Sequence, residues 1–266
     1  FMKAEAAMWL GDTGTARAMM EIGMQHSFDK VLAMASVDPH QPVVILGGFL
    51  ITEEAYQPMA DWLINQGVTD ANVVPVTRYD WLLTSWGFGW RRVLDRVDQH
   101  VQLLQSTSPT GRVTLIGHSS GGVMLRLYLS DQPFQGRTYG GASRCDRLIS
   151  LGSPHQAIRA TPLRAMVDRS CPGCHVPGVD YVAIAGELNL NSTTASVFSR
   201  RSAKGSYRGI SGSVDVSGDG LVPVDSALLC GARHLIQSDT AHGGLFGTTT
   251  YFSPARLEAW WRFAAV

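Results

Sequence analysis

A run of ten residues, Val113-Thr114-Leu115-Ile116-Gly117-His118-Ser119-Ser120-Gly121-Gly122, constrains this chain more than any other part of it. Its first four residues are apolar or β-branched, as in a strand buried on both faces. The apolar stretch Val123 to Leu129 then follows without a break, as in a helix. A strand that turns into a helix within five residues needs a sharp, strained bend, and the glycines on either side keep side chains out of its neighbours' way. The bend would lift the Ser119 hydroxyl above the sheet edge at the positive end of a helix. The five-residue Gly-x-Ser-x-Gly pattern is weak by itself in a chain with 28 glycines. Its setting between strand and helix is what carries the expectation of a nucleophilic serine.

The rest of the chain repeats the strand-then-helix alternation. Val43 to Leu46 is a second short apolar run, closed by Gly47-Gly48. Glu53 to Asn65 reads as a helix, Asn72 to Val76 as a strand, and Trp90, Val93, Leu94, Val97, Val101 and Leu104 recur at helical spacing. Arg147 to Leu151, Tyr181 to Ala185 and Arg233 to Ile236 read as further strands, and Pro254 to Ala264 as a closing helix with proline in its first turn. This order predicts an α/β fold, with a mostly parallel central sheet and helices on both faces. Residues 155–180 and 187–212, the latter a polar loop, are the two places for a small cap. Residues 1–38 hold six of the nine methionines and read as an N-terminal helical extension, either docked on the main domain or a Met-rich gate. Residues 39–266 are expected to form the catalytic domain.

A serine hydroxyl needs a base, and the base needs an orienting acid. Four histidines follow Ser119: His155, His175, His234 and His242. His242 lies in Ala241-His242-Gly243-Gly244, a loop beyond the last strand that can carry an imidazole over the sheet edge. His234 falls inside a strand, and His155 follows a strand end where it could line the site. Asp219 stands between two glycines in Gly218-Asp219-Gly220, which allows a tight turn toward an imidazole; Asp215 and Asp225 are rivals.

The 22 Lys and Arg balance the 22 Asp and Glu, which argues against nucleic acid as a partner and suits an uncharged substrate. No apolar stretch is long enough for a membrane span. No signal peptide is visible at the start, which leaves the compartment open, as is the oligomeric state. Cys171-Pro172-Gly173-Cys174-His175 has the spacing of a haem attachment site and could contribute to a zinc site. A disulfide among Cys145, Cys171, Cys174 and Cys230 is expected ahead of either, and no metal or cofactor is assigned.

Taken together, Val43 to Phe49, the Gly117–Gly122 turn, Leu151-Gly152-Ser153-Pro154-His155, Gly218 to Pro223 and His242 resemble the α/β-hydrolase superfamily, in its lipase/esterase-like branch of bacterial lipases and cyanobacterial and plant lipase-like hydrolases. The resemblance implies Ser119, Asp219 and His242 as a triad, with backbone N–H groups of Phe49 and Ser120 as the oxyanion hole. Lipases usually end the first strand in His-Gly and an apolar residue, whereas this chain has Gly47-Gly48-Phe49. Of the aromatic group Tyr79, Trp81, Trp86, Phe88 and Trp90, the residues Trp81, Trp86 and Phe88 are candidates for a substrate pocket, with His155 beside them. The implied activity is hydrolysis of an uncharged apolar or lipid ester through an acyl-enzyme. A thioesterase or acyltransferase using the same triad, or an inactive binding module, are the alternatives.

Overall fold

The apolar runs become six parallel strands: β1 (Val43–Leu46), β2 (Ala71–Val73), β3 (Val113–His118), β4 (Cys145–Leu151), β5 (Asp180–Glu187) and β6 (Arg233–Ser238). The computed structural model describes residues 37–158 and 161–266. Among these the strands form one open sheet in the order β2-β1-β3-β4-β5-β6. The helices are α1 (Gln57–Asn65), α2 (Arg78–Leu83), α3 (Gly87–Thr107), α4 (Ser120–Leu129), α5 (Pro162–Ser170), α6 (Val197–Ser211), α7 (Val224–Ala227) and α8 (Pro254–Ala265). Residues Asp38–Val266 pack as one unit. The N-terminal extension expected over residues 1–38 lies outside the described residues, apart from its last two.

Side chains alternate across the sheet and feed two cores. Val44, Leu46, Leu115 and Leu148 face Trp90, Val93, Leu94 and Val97 of α3 and the buried residues of α4. Val43, Ile45, Ile116, Ile149 and Val182 face Met59 and Leu63 of α1 and Trp260 of α8 on the other side. Each such aliphatic side chain is worth about 1.5–3 kcal/mol when fully buried, so the two faces together dominate stability. The sheet order places β1 next to β3, with the chain leaving β1 toward one edge and passing β3 toward the other. Ligands bind at such a switch point, beyond the carboxyl ends of the strands. Here those ends carry Gly47–Phe49 and Ser119.

Three elements differ from their sequence-based bounds. The helix expected over Glu53–Asn65 splits into a 3-10 turn, Glu53–Ala55, and α1. Pro58 lacks an N–H and is tolerated only in a first turn, so the helix restarts there. The strand expected to reach Val76 ends at Val73, because Pro75 cannot donate to a ladder. The polar stretch 187–212 is not one loop: α6 fills Val197–Ser211, started by the Ser196 hydroxyl on Ser199 N–H and ended by Gly212 at φ 81°. Its serines hide a narrow apolar stripe, of which Ala203 and Tyr207 are buried.

Candidate active site

Ser119 sits at the bend between β3 and α4 with φ 54° and ψ −124°, a conformation that costs a non-glycine residue roughly 1–3 kcal/mol. Its own N–H is held by Leu151 O at 2.9 Å. A Cβ at Gly121 would lie 2.3 Å from Leu46 O and 2.5 Å from Gly47 O, so only glycine lets the start of α4 approach the end of β1. A Cβ at Gly48 would lie 2.9 Å from Ser119 Cβ. Strand end and bend are thus in contact. Ser120 N–H opens α4 and has no intrahelical acceptor. Phe49 N–H makes no hydrogen bond among the described residues.

Asp219 and His242 meet on the same side of the sheet. His242 Nδ1 is 2.8 Å from Asp219 Oδ2, and His242 N–H donates to Asp219 O at 2.8 Å. The other acceptor positions of the carboxylate are filled: Leu221 and Val222 N–H donate to Oδ1 at 3.1 and 2.7 Å, and Tyr251 OH donates to Oδ2 at 2.9 Å. Burial, and then the Asp219 charge, push the Tyr251 hydroxyl far above its ordinary range, which keeps it a donor. With Nδ1 donating to the carboxylate, His242 Nε2 is left as an acceptor, and no described residue bonds to it. Ser119 Oγ also makes no hydrogen bond to a described residue. The rivals Asp215 and Asp225 are exposed, and His234 is held by Leu229 O at 2.7 Å.

A buried chain of hydrogen bonds ties these parts together. Gly48 N–H donates to Tyr56 OH at 2.8 Å, and Tyr56 OH lies 2.8 Å from His118 Nδ1. His118 Nε2 lies 3.0 Å from the His242 carbonyl. A carbonyl only accepts, so Nε2 carries the proton and Nδ1 accepts from Tyr56. Burial, and then the neighbouring His242, push the His118 pKa well below its ordinary value, so the ring is neutral and serves as one donor and one acceptor. The rings of His118 and His242 are 4.7 Å apart, which puts the His242 imidazole beside the Ser119 bend. Tyr56 and Tyr251 carried no sequence signal. His118 occupies the variable position of the serine motif, where the pattern prescribes nothing.

Phe49, Ser120, Trp81, Trp90, Val123 and Met124 line a cavity of about 360 Å³. Trp81 is buried, donates to Ile51 O at 3.2 Å and packs edge-on against Phe49. Trp86 and Phe88 are exposed, stack on each other at 6.1 Å and do not line this cavity. Trp86 is the cap residue before α3, and the helix turns Gly89 and Trp90 inward, leaving Phe88 outside. His155 is buried away from it, with Nε2 2.9 Å from Ser150 Oγ and Nδ1 3.4 Å from Arg126 Nη1. It lines a separate cavity of about 600 Å³ with Arg126 and Asp225.

No disulfide joins the four cysteines, which corrects that expectation. Cys145 and Cys171 pack as apolar side chains in the core on the α3 and α4 side, where burial raises their thiols and keeps them protonated. Cys230 is exposed. Among the described residues, no three of His, Cys, Asp and Glu are grouped to hold a metal ion, and no helix is long and apolar enough to cross a membrane.

Residues 42–205 match the family model for palmitoyl protein thioesterase. No curated protein matches the chain. Among solved structures, the mature lipase of Bacillus licheniformis is similar at 17% identity and TM-score 0.51, covering 77% of this chain and 86% of its own. A gene product of Listeria innocua is similar at 17% identity and TM-score 0.52, covering 84% of this chain and 92% of its own. Likeness at this identity speaks for the fold, while the family model spans more than half of the sequence. The chain therefore belongs to the palmitoyl protein thioesterase family within the α/β-hydrolase superfamily, a serine hydrolase of lipase, esterase or thioesterase type.

Proposed function

We propose that this protein hydrolyses a carboxylic ester of modest acyl length, with Ser119 as nucleophile, His242 as general base and acid, and Asp219 as its orienting partner. The bond of 2.8 Å between Asp219 Oδ2 and His242 Nδ1, beside the strained serine, is the observation that carries this reading. Asp219 fixes the tautomer that leaves Nε2 free to accept a proton, and it stabilises the imidazolium once formed. His242 Nε2 takes the Ser119 proton as Oγ bonds to the acyl carbon. Catalytic hydrogen bonds often tighten only when substrate binds, which suits an Oγ without a partner in the free enzyme.

The carbonyl oxygen becomes an oxyanion that accepts from the N–H groups of Phe49 and Ser120, each worth about 3 kcal/mol in the transition state. His242 then protonates the leaving alcohol. Water attacks the acyl-enzyme with His242 again as base, releasing the acid and restoring Ser119. The cavity of about 360 Å³ is at the small end for ligand sites and favours a short or medium acyl group.

The family match favours a second reading, in which the leaving group is a thiol and the same residues cleave a thioester. Turnover of p-nitrophenyl esters from acetate to palmitate, alongside an acyl thioester of the preferred length, tests both. The expected result is a maximum at short to medium length, abolished by Ser119→Ala. Activity that survives Ser119→Ala would overturn the assignment.

A further inference from the structure

The cavity beside Ser120 has apolar and aromatic walls, yet one charged side chain reaches it. Arg164, on α5, lines the same cavity as Phe49, Ser120, Trp81 and Met124. It is 12% exposed, and its Nε and Nη2 are buried with no acceptor among the described residues. The nearest carboxylate, Asp168 Oδ1, is 3.8 Å from Nε, beyond hydrogen-bonding distance. Asp168 is also shared: it lies 3.5 Å from Nη1 of Arg126, which is 2% exposed. Two guanidinium groups therefore face one carboxylate, leaving an excess of one positive charge.

Among the described residues, no other carboxylate lies within 4 Å of either guanidinium. His155 uses one nitrogen on Ser150 Oγ and turns the other toward Arg126, and burial followed by the two arginines keeps it neutral. Asp225 lines the other cavity, with Arg126 and Asp168, and not this one. Burial pulls the Arg164 pKa down to about 10 against the pull of Asp168, so the side chain is still charged at neutral pH. Nε and Nη2 are sealed from the cavity, so a carboxylate there meets the guanidinium through Nη1, and pairing a nearly buried charge that lacks acceptors offsets its cost.

We propose that the cavity holds an acyl group whose far end is a carboxylate paired with Arg164, so that the preferred substrates are half-esters of dicarboxylic acids. This rests on the ester-hydrolase reading above and replaces the uncharged ester expected from the balanced net charge. The apolar walls take the methylene chain, the Phe49 and Ser120 end takes the scissile carbonyl, and Arg164 reads the terminus.

The test compares mono-p-nitrophenyl esters of dicarboxylic acids of four to eight carbons with methyl-terminated esters of equal chain length. The wild-type protein is expected to favour one half-ester over its match at least tenfold in kcat/KM, mostly through KM. Arg164→Met is expected to erase the preference and Arg164→Lys to restore part of it, whereas the exposed Arg262→Met leaves the ratio unchanged. Equal kcat/KM for the two series, or a preference that survives Arg164→Met, would overturn the inference while leaving the hydrolase reading intact. If Ser119-dependent turnover of both series is absent, the hydrolase reading fails and this inference with it.

Discussion

Replacing Tyr56 with phenylalanine removes one oxygen and leaves the rest of the ring in place, still 5.3 Å from Phe252 in edge-on contact. No cavity forms, so the effect comes from hydrogen bonding alone. Two buried groups lose their partner: Gly48 N–H and His118 Nδ1, each 2.8 Å from the hydroxyl. An unpaired buried polar group costs about 1–3 kcal/mol, so with two of them Tyr56→Phe should destabilise the protein by about 2–6 kcal/mol. The activity follows from position. Gly48 precedes Phe49, whose N–H is the proposed oxyanion donor, and His118 holds the carbonyl of His242 at 3.0 Å. Loosening either by about 1 Å can cost about 100-fold, so kcat should fall about 10- to 100-fold with little change in KM. Urea unfolding and steady-state hydrolysis of a p-nitrophenyl ester read the two effects. Adding His118→Phe should cost less than the sum of the two single variants, because both break one chain. A loss under 0.5 kcal/mol with unchanged kcat would refute the reasoning about this network.

Two further outcomes are expected. Gly121→Ala places a methyl 2.3 Å from Leu46 O, about 1 Å inside normal contact, and should reduce kcat about 100-fold while lowering the melting temperature; near-wild-type turnover would contradict the close approach of α4 to β1. Asp80 joins α2 to α3 through Arg96, and its carboxylate is held by the Thr77 side chain and N–H. Burial pushes the Asp80 carboxyl up, but Arg96 and Thr77 outweigh it and hold it far below the usual range. The unfolded state then binds more protons, so this stabilisation is complete above about pH 4 and is lost as pH falls toward the folded-state value. Asp80→Asn should cost about 1–2 kcal/mol at pH 7, with the gap closing below pH 4 in acid-unfolding curves; a gap independent of pH would contradict it.

The parts of the molecule governed by local rules were legible in the sequence. Val43–Leu46 and Val113–Ile116 are continuous apolar runs because both faces of a parallel sheet are covered, and the glycines around Ser119 announce close backbone approach. Asp219 and His242 stand in glycine-flanked loops that allow sharp turns. What was not legible depends on contacts between distant segments. Tyr56 is 62 residues from His118, and Tyr251 is 32 from Asp219. Nothing in a Tyr at a helix start, or after a threonine run, announces such a partner. Trp86 and Phe88 misled because aromatic crowding does not say which face of α3 each residue takes. Helix α6 was hidden by its serines, although Ser196 and Gly212 had the character of caps. The charge of Arg164 in an apolar cavity arises from how α5 is seated, which no local pattern encodes.

The central claim is that Ser119 is the nucleophile and that His242, held by Asp219, activates it. Reaction with a fluorophosphonate, followed by mass spectrometry of the digested protein, tests this most directly. The account predicts one label per chain, located on Ser119, with labelling slowed at least 1000-fold in His242→Ala while the variant remains folded. Labelling of a different residue, or a rate at Ser119 that does not depend on His242, would contradict it.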